Sequence, residues 1–371
     1  MNYTLAYLSI SSHFLLDFLV SFFNPLGPYL INKYNIEIKL FTTFLTLSSA
    51  SASLLQIFFG LWFDKVRTTK PYLVAMYFLE AIGITTLGLA TNFWIALLAI
   101  FFIRIANSAF HPLGAAMASE GSSKAVAFFS IAGTFGAALG PLFISSFVSM
   151  FDISNLWLIS TIFIIIALYI LKIPFPNKNS KVAKKISFSE VSALFPILFV
   201  VTIRSFAMSV VHTYTPIYIT GLLRYPITIS GSLITLGMIA GVFANYIGVV
   251  LMEKIGAKKQ DLVAFLGMAI SIFFLLTLKT LVGIFVSFIV FDFCGFLLMS
   301  ANVVQAQKIL PDRKALASSV AMGFAWSIGD FLASGYNAII GNNVILSLYL
   351  VIPITVVASL YFGIIQKFDT K

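Results

Sequence analysis

Apolar stretches of roughly 20 residues, long enough to carry a helix across about 30 Å of hydrocarbon, recur along the whole chain. Short clusters of charged and turn-forming residues separate them. They predict helical spans at 5–31, 40–63, 71–91, 93–118, 125–149, 156–173, 191–223, 229–252, 262–280, 281–306, 315–341 and 344–365. The period-two alternation of a β-barrel is absent, and the run Ile162-Phe163-Ile164-Ile165-Ile166-Ala167-Leu168 suits a helix buried on all sides. The expected fold class is an all-α polytopic membrane protein with twelve transmembrane helices. No basic residue precedes the first span and Asp17 interrupts it, so a cleaved leader is not expected.

The longest hydrophilic stretch, 174–190, carries Lys178, Lys181, Lys184 and Lys185. It divides the chain into an N-terminal six-helix bundle at 1–173, a cytoplasmic linker at 174–190 and a C-terminal six-helix bundle at 191–371. The two halves repeat. Lys124-Ala125-Val126-Ala127 before Gly133 matches Lys314-Ala315-Leu316-Ala317 before Gly323, Asp64-Lys65 matches Glu253-Lys254, and Pro28 matches Pro216, at a nearly constant offset of about 190 residues. Two six-helix halves related by an axis along the membrane normal form a transporter architecture, with substrate expected near mid-membrane between the repeats.

Composition narrows the class further. The 371 residues are 60% hydrophobic and only 10% charged, with a mean hydropathy of +1.02, whereas soluble domains are about a quarter charged. A soluble enzyme, a disordered segment and a nucleic-acid binder are thereby excluded. The net charge of +10 follows from topology. With both termini cytoplasmic, Lys65, Arg67, Lys70, Lys124, Lys172, the linker lysines, Lys254, Lys258, Lys259, Lys308, Arg313, Lys314, Lys367 and Lys371 lie inside. Only Lys33, Lys39, Arg224 and Lys279 face outside, as the positive-inside rule requires. The expected location is the cytoplasmic (inner) membrane. The single cysteine, Cys294, lies in an apolar run, so no disulfide or cysteine-based metal site is expected.

Gly60-Leu61-Trp62-Phe63-Asp64-Lys65 resembles the first part of the loop signature between the second and third helices of the major facilitator superfamily, and Glu253-Lys254-Ile255-Gly256-Ala257-Lys258-Lys259 resembles its repeat. Gly136-Ala137-Ala138-Leu139-Gly140-Pro141 in span 5 resembles the antiporter motif of the superfamily's exporters, with Ile144-Ser145 where a trailing glycine pair stands there. His13, Asp17, Pro25 and Pro28 in span 1, Asn107 and His111-Pro112-Leu113-Gly114 in span 4, Arg204-Ser205-Phe206 and Pro216-Ile217-Tyr218 in span 7, and Gln305 to Arg313 after span 10 resemble the fosmidomycin-resistance-type exporters within it. The resemblance implies two pseudo-symmetric bundles, a monomer, spans 1, 4, 7 and 10 around a cavity, and a loop in which Gly60, Asp64, Lys65, Glu253 and Lys254 take part in gating.

Six charged side chains fall near mid-span: Asp17, Glu80, Arg104, Arg204, Asp292 and Asp330. A charge at the bilayer centre costs at least about 2.5–3.5 kcal/mol on insertion scales, so such residues face the protein interior, pair or titrate. If spans 1, 4, 7 and 10 line a cavity, each half offers one carboxylate and one guanidinium, Asp17 with Arg104 and Asp292 with Arg204. Arg104, Asn107 and His111 share one helix face, as do His13 and Asp17. These seven form the candidate proton-coupling and cavity set, with Glu80 and Asp330 as secondary candidates. Permanent structural ion pairs are the competing reading, and His212 reads as a packed core histidine. Phe22 and Tyr214 are candidate cavity aromatics. No pair of histidines shows metal-ligand spacing with a carboxylate, so no metal is expected, and no cofactor beyond a proton gradient. The expected function is a proton-coupled antiporter that exports a small molecule, a drug or amphipathic metabolite, by alternating access. A proton symporter importing a small organic solute or anion, and a membrane receptor or scaffold, stay open. No nucleophile–base constellation is visible, so an enzyme is not expected.

Overall fold

The computed structural model describes residues 3–63, 65–66, 68–120, 123–175, 192–311, 317–318 and 320–365. Asp64, most of the linker and the Arg313-Lys314 pair therefore lie outside the described residues. Among those described the structure is helical, with eleven helices long and apolar enough to cross a membrane. The eleventh predicted span is described as a π-turn at Val320–Phe324 followed by the helix Ala325–Ile340. It completes the twelve-helix, all-α architecture of an integral membrane protein.

Several spans are broken rather than continuous. The first consists of Tyr3–Val20 and Phe23–Tyr34, separated by a turn at Ser21-Phe22, three residues before Pro25. The seventh, Phe195–Pro216, passes into a π-turn at Ile217–Leu222 directly after its proline, where the missing N–H interrupts the α-helical ladder. Pro112 and Pro141 are held inside the helices Phe93–Ser119 and Ser123–Met150. Gly256, at φ 82°, joins Ile227–Ile255 to Ala257–Thr277 with no intervening loop. That left-handed backbone favours glycine.

The sixth span departs from its expected burial on all sides. In Trp157–Lys172, Phe163, Ala167 and Ile170 are buried, while Ile162, Ile165, Leu168 and Tyr169 are at least half exposed to the surroundings. An apolar face left uncovered by protein is what hydrocarbon replaces in a membrane. Water would have required polar residues at those positions, so the sequence shows no amphipathic stripe.

The chain divides into two compact units, Met1–Ile36 with Ser51–Lys184, and Glu37–Ala50 with Lys185–Lys371. In the first, the helix Ser123–Met150 lies against Tyr3–Val20 through Gly133, Gly136 and Gly140. A Cβ at these positions would collide with the His13 ring, the Phe14 carbonyl and the Ser21 hydroxyl respectively. In the second, Ile227–Ile255 lies against Leu281–Ile309 through Gly237, Gly241 and Gly248, which meet Asp292, Phe296 and the Leu297 backbone. Small residues at helical spacing permit this backbone approach. The helix Ile38–Phe63 is shared. Its first turns belong to the second unit, where Ser334 Oγ donates to Thr43 O at 3.0 Å, Asn337 Nδ2 to Thr42 O at 3.2 Å and Ser327 Oγ to Ala50 O at 2.9 Å.

Candidate functional site

In the first unit the mid-span polar residues converge on Asp17. His13, one turn earlier on the same helix, places Nε2 3.2 Å from Asp17 Oδ2. From Phe93–Ser119, Asn107 Nδ2 donates to Asp17 Oδ1 at 2.7 Å, and His111 Nε2 lies 3.6 Å from the same oxygen and 3.0 Å from Asn107 Oδ1. The helical spacing of Asn107 and His111 puts both on the face turned to Asp17. His13 Nδ1 donates to the Phe129 carbonyl at 2.7 Å, and its ring stacks on Phe129 at 3.8 Å between centroids. Gly133 supplies the room for that ring. Asp17 and His111 keep a partly exposed edge, whereas His13 is buried.

Arg104 is not a partner of Asp17, contrary to the expected pair. It is buried with its guanidinium over the Phe23 ring, 5.3 Å from the centroid. Asn107 and His111 come from one and two turns further along that helix and take the carboxylate instead. Glu80 is fully buried on Lys70–Leu89, and neither of its oxygens has a hydrogen-bond partner. Tyr77, one turn before it, donates to Ser12 Oγ at 2.8 Å and ties that helix to the one bearing Asp17.

The second unit has its own carboxylate–imidazole pair. Asp292 is fully buried, and its Oδ1 lies 2.6 Å from His212 Nε2. Here too the expected arginine partner is replaced. Arg204 Nε donates to the Gly295 carbonyl at 2.7 Å, and the guanidinium is sandwiched near Phe296 and Trp326, at 5.5 and 5.4 Å. Aromatic faces and a carbonyl hold this guanidinium, and Asp292 acts on it electrostatically with no direct ion pair among the described contacts. Across the repeat the roles are exchanged: the acid is on span 1 and an imidazole on span 4 in the first unit, the imidazole on span 7 and the acid on span 10 in the second. His212, expected as a packed core histidine, is in contact with Asp292. The usable signal in the sequence is its position two turns after Arg204 on a span expected to face inward.

The remaining candidates separate by place. Gly60 stands beside Pro112, Lys65 is an exposed turn residue, and Glu253 and Lys254 are exposed at the end of their helix. Gly136, Gly140 and Pro141 belong to the close helix contact already described, and Asp330 is half-buried in Ala325–Ile340. Phe22 and Tyr214 line no opening. Both are fully buried, Phe22 against Phe18 and Phe143, and Tyr214 with its hydroxyl 3.1 Å from Thr42 Oγ1. Folding also creates a set the sequence spacing does not reveal, because it joins two helices: ligand atoms of His13, Asp17 and His111 all lie within 4.8 Å of one another, a grouping able to hold a metal ion.

Twelve apolar helices in two repeated halves, with polar clusters held at mid-span, have the architecture of a membrane transporter. The Major Facilitator Superfamily profile matches residues 10–334, and the chain belongs to that superfamily. It is 26% identical over 342 residues to the fosmidomycin resistance protein of Escherichia coli (strain K12), covering 87% of this chain and 83% of that one. Among solved structures it resembles the nucleoside transporter NupG, with a TM-score of 0.79 at 14% identity over 98% of this chain and 100% of the other. It also resembles the occupied, inward-facing bacterial homologue of the human lysosomal transporter Spinster, with a TM-score of 0.74 at 14% identity over 98% and 94%. These structural likenesses establish the fold.

Proposed function

We propose that this protein is a proton-coupled antiporter that exports a small molecule by alternating access across the cytoplasmic membrane, as a monomer with both termini in the cytoplasm. The observation that carries the reading is the Asp292–His212 pair, fully buried at the acid and 2.6 Å across. An imidazole and a carboxylate in contact change the net charge of the site by one when a proton arrives or leaves. In a low-dielectric interior that charge change biases the conformations in which the site is dry or wetted. Export is supported by the glycine–proline pattern of span 5 and by the similarity to the fosmidomycin resistance protein of Escherichia coli. The gradient is the only energy source the reading needs.

A second reading, proton symport of an organic anion, is favoured by Arg204. It commits Nε to Gly295 and its flat faces to two rings, so its terminal N–H groups remain for a carboxylate or phosphate. Purified protein in oriented vesicles, with a pH-sensitive dye inside and a panel of small organic solutes, separates the two. Antiport moves proton and solute in opposite directions and symport in the same direction, while absence of any solute-linked proton flux points to a receptor or scaffold. Asp292→Asn is expected to abolish accumulation driven by a pH gradient and to leave downhill exchange. If that variant concentrates solute as well as wild type at matched protein level, Asp292 is not the coupling group.

A further inference from the structure

Asp17 and His13 face each other across a gap that only a shared proton or another cation makes favourable. His13 Nδ1 is 2.7 Å from the Phe129 carbonyl, which only accepts, so Nδ1 bears the ring proton. In a neutral imidazole Nε2 is then a lone pair. It is buried, has no hydrogen-bond partner, and points at Asp17 Oδ2 from 3.2 Å. Two acceptors face each other across a gap that calls for a cation. A backbone carbonyl on the far nitrogen is also the arrangement that fixes the tautomer and orientation of metal-ligating histidines.

We propose that His13 Nε2, Asp17 and His111 Nε2 form a binding site for a divalent transition-metal ion of the zinc, cobalt and nickel group. The spacing fits. Metal bonds to imidazole nitrogen and carboxylate oxygen of about 2.0–2.1 Å place tetrahedral ligand atoms about 3.4 Å apart. The Asp17 carboxylate bridges the two imidazoles, with His13 Nε2 3.2 Å from Oδ2 and His111 Nε2 3.6 Å from Oδ1, and with one ligand atom from each residue the set lies within 4.8 Å, so small side-chain shifts bring it to that spacing. Binding requires His111 to move its proton from Nε2 to Nδ1 and release Asn107 Oδ1, now 3.0 Å away. That oxygen, on a side chain already anchored to Asp17 through Nδ2, is placed as a fourth donor. Two imidazoles select against magnesium and calcium, which take oxygen ligands. Asp17 and His111 retain exposed edges through which an ion enters, and the buried His13 is the fixed wall. Helix Ser123–Met150 meets the ring of His13 with Gly133 and Phe129, neither of them charged.

The site rests on the first unit alone and is independent of the coupling assigned to Asp292. The test is equilibrium binding of zinc chloride to the full-length, chelator-treated protein in detergent, followed by metal analysis after desalting. Wild type is expected to retain one zinc per chain. Asp17→Asn and His111→Gln should each weaken binding by about tenfold or more, and His212→Gln, in the other unit, should bind as wild type does. Cobalt in place of zinc should give the intense visible bands of a low-symmetry nitrogen–oxygen site in wild type, a readout that needs no variant to fold. Retention of no zinc by monodisperse wild type overturns the proposal and identifies the bridging cation as a proton. Equal binding by wild type and both first-unit variants overturns it as well. Neither result touches proton flux in vesicles, so this proposal and the transport reading fail separately.

Discussion

Replacing Gly136 by alanine tests how tightly the first unit is assembled. A Cβ there would lie 2.9 and 3.0 Å from the Phe14 carbonyl carbon and Cα, and closer still to its oxygen. Ordinary contacts begin near 3.4 Å, so the two helices must part by about an ångström to clear the carbonyl oxygen. Neither backbone can rotate away as a flexible side chain would. Overpacking of this kind costs about 1–3 kcal/mol, while alanine in a helix interior returns about 0.5–1 kcal/mol relative to glycine. Gly335 separates the two contributions. It is helical and exposed, with nothing within 4 Å of the point an added Cβ would occupy, so Gly335→Ala carries only the gain. The difference between the two variants should therefore be about 1–3 kcal/mol, with Gly136→Ala the less stable. Unfolding in mixed micelles, followed by the fluorescence of the four tryptophans, measures it. Equal midpoints for the two variants would refute the backbone-contact account of span 5, and with it the close helix approach that seats the His13 ring against Gly133.

Asn337 is fully buried and donates to Thr42 O and Thr46 Oγ1; Asn337→Ala should cost about 1–3 kcal/mol and speed labelling of a cysteine placed at Thr46, and unchanged labelling would count against it. Glu80 buries two unpartnered oxygens, so Glu80→Met should raise the unfolding midpoint, because an apolar side chain removes an unmet desolvation cost; a lower midpoint would contradict the reading. In a chain carrying Cys294→Ser, an impermeant thiol reagent added outside whole cells should label a cysteine at Lys39 and spare one at Lys65, and the reverse pattern would reject cytoplasmic termini.

The polar residues at mid-span are legible in the sequence, and their partners are not. Hydropathy locates the spans because lipid imposes length and composition on every crossing helix. Mid-span position singles out Asp17, Asn107, His111, Arg204 and Asp292 because a polar group there needs a reason. Helical spacing, however, shows what shares a face and not what stands across from it. Opposite charge suggests arginine for each aspartate. Folding gives each aspartate an imidazole and settles Arg104 and Arg204 on aromatic rings. Such cation–π and carbonyl contacts leave no pattern in a chain with 39 phenylalanines, where rings are available on every side. The break at Ser21-Phe22 is hidden for a similar reason, since apolar residues continue through it.

The shared helix Ile38–Phe63 bears on the origin and dissection of the protein. The sequence repeats with a seam in the hydrophilic stretch after Lys172, yet the second compact unit includes Glu37–Ala50 from the first repeat. The duplicated segment and the packing unit are therefore different objects. A fragment beginning after that seam would display Ser327, Ser334, Asn337 and Tyr214 without the helix turns they hold. Buried donors and hydroxyls left in that state make a fragment prone to aggregate or to capture a foreign helix. A severed pair of halves should accordingly recover only when made together, and the serviceable cut for a split reporter is one that leaves Glu37–Ala50 free to reach its partners.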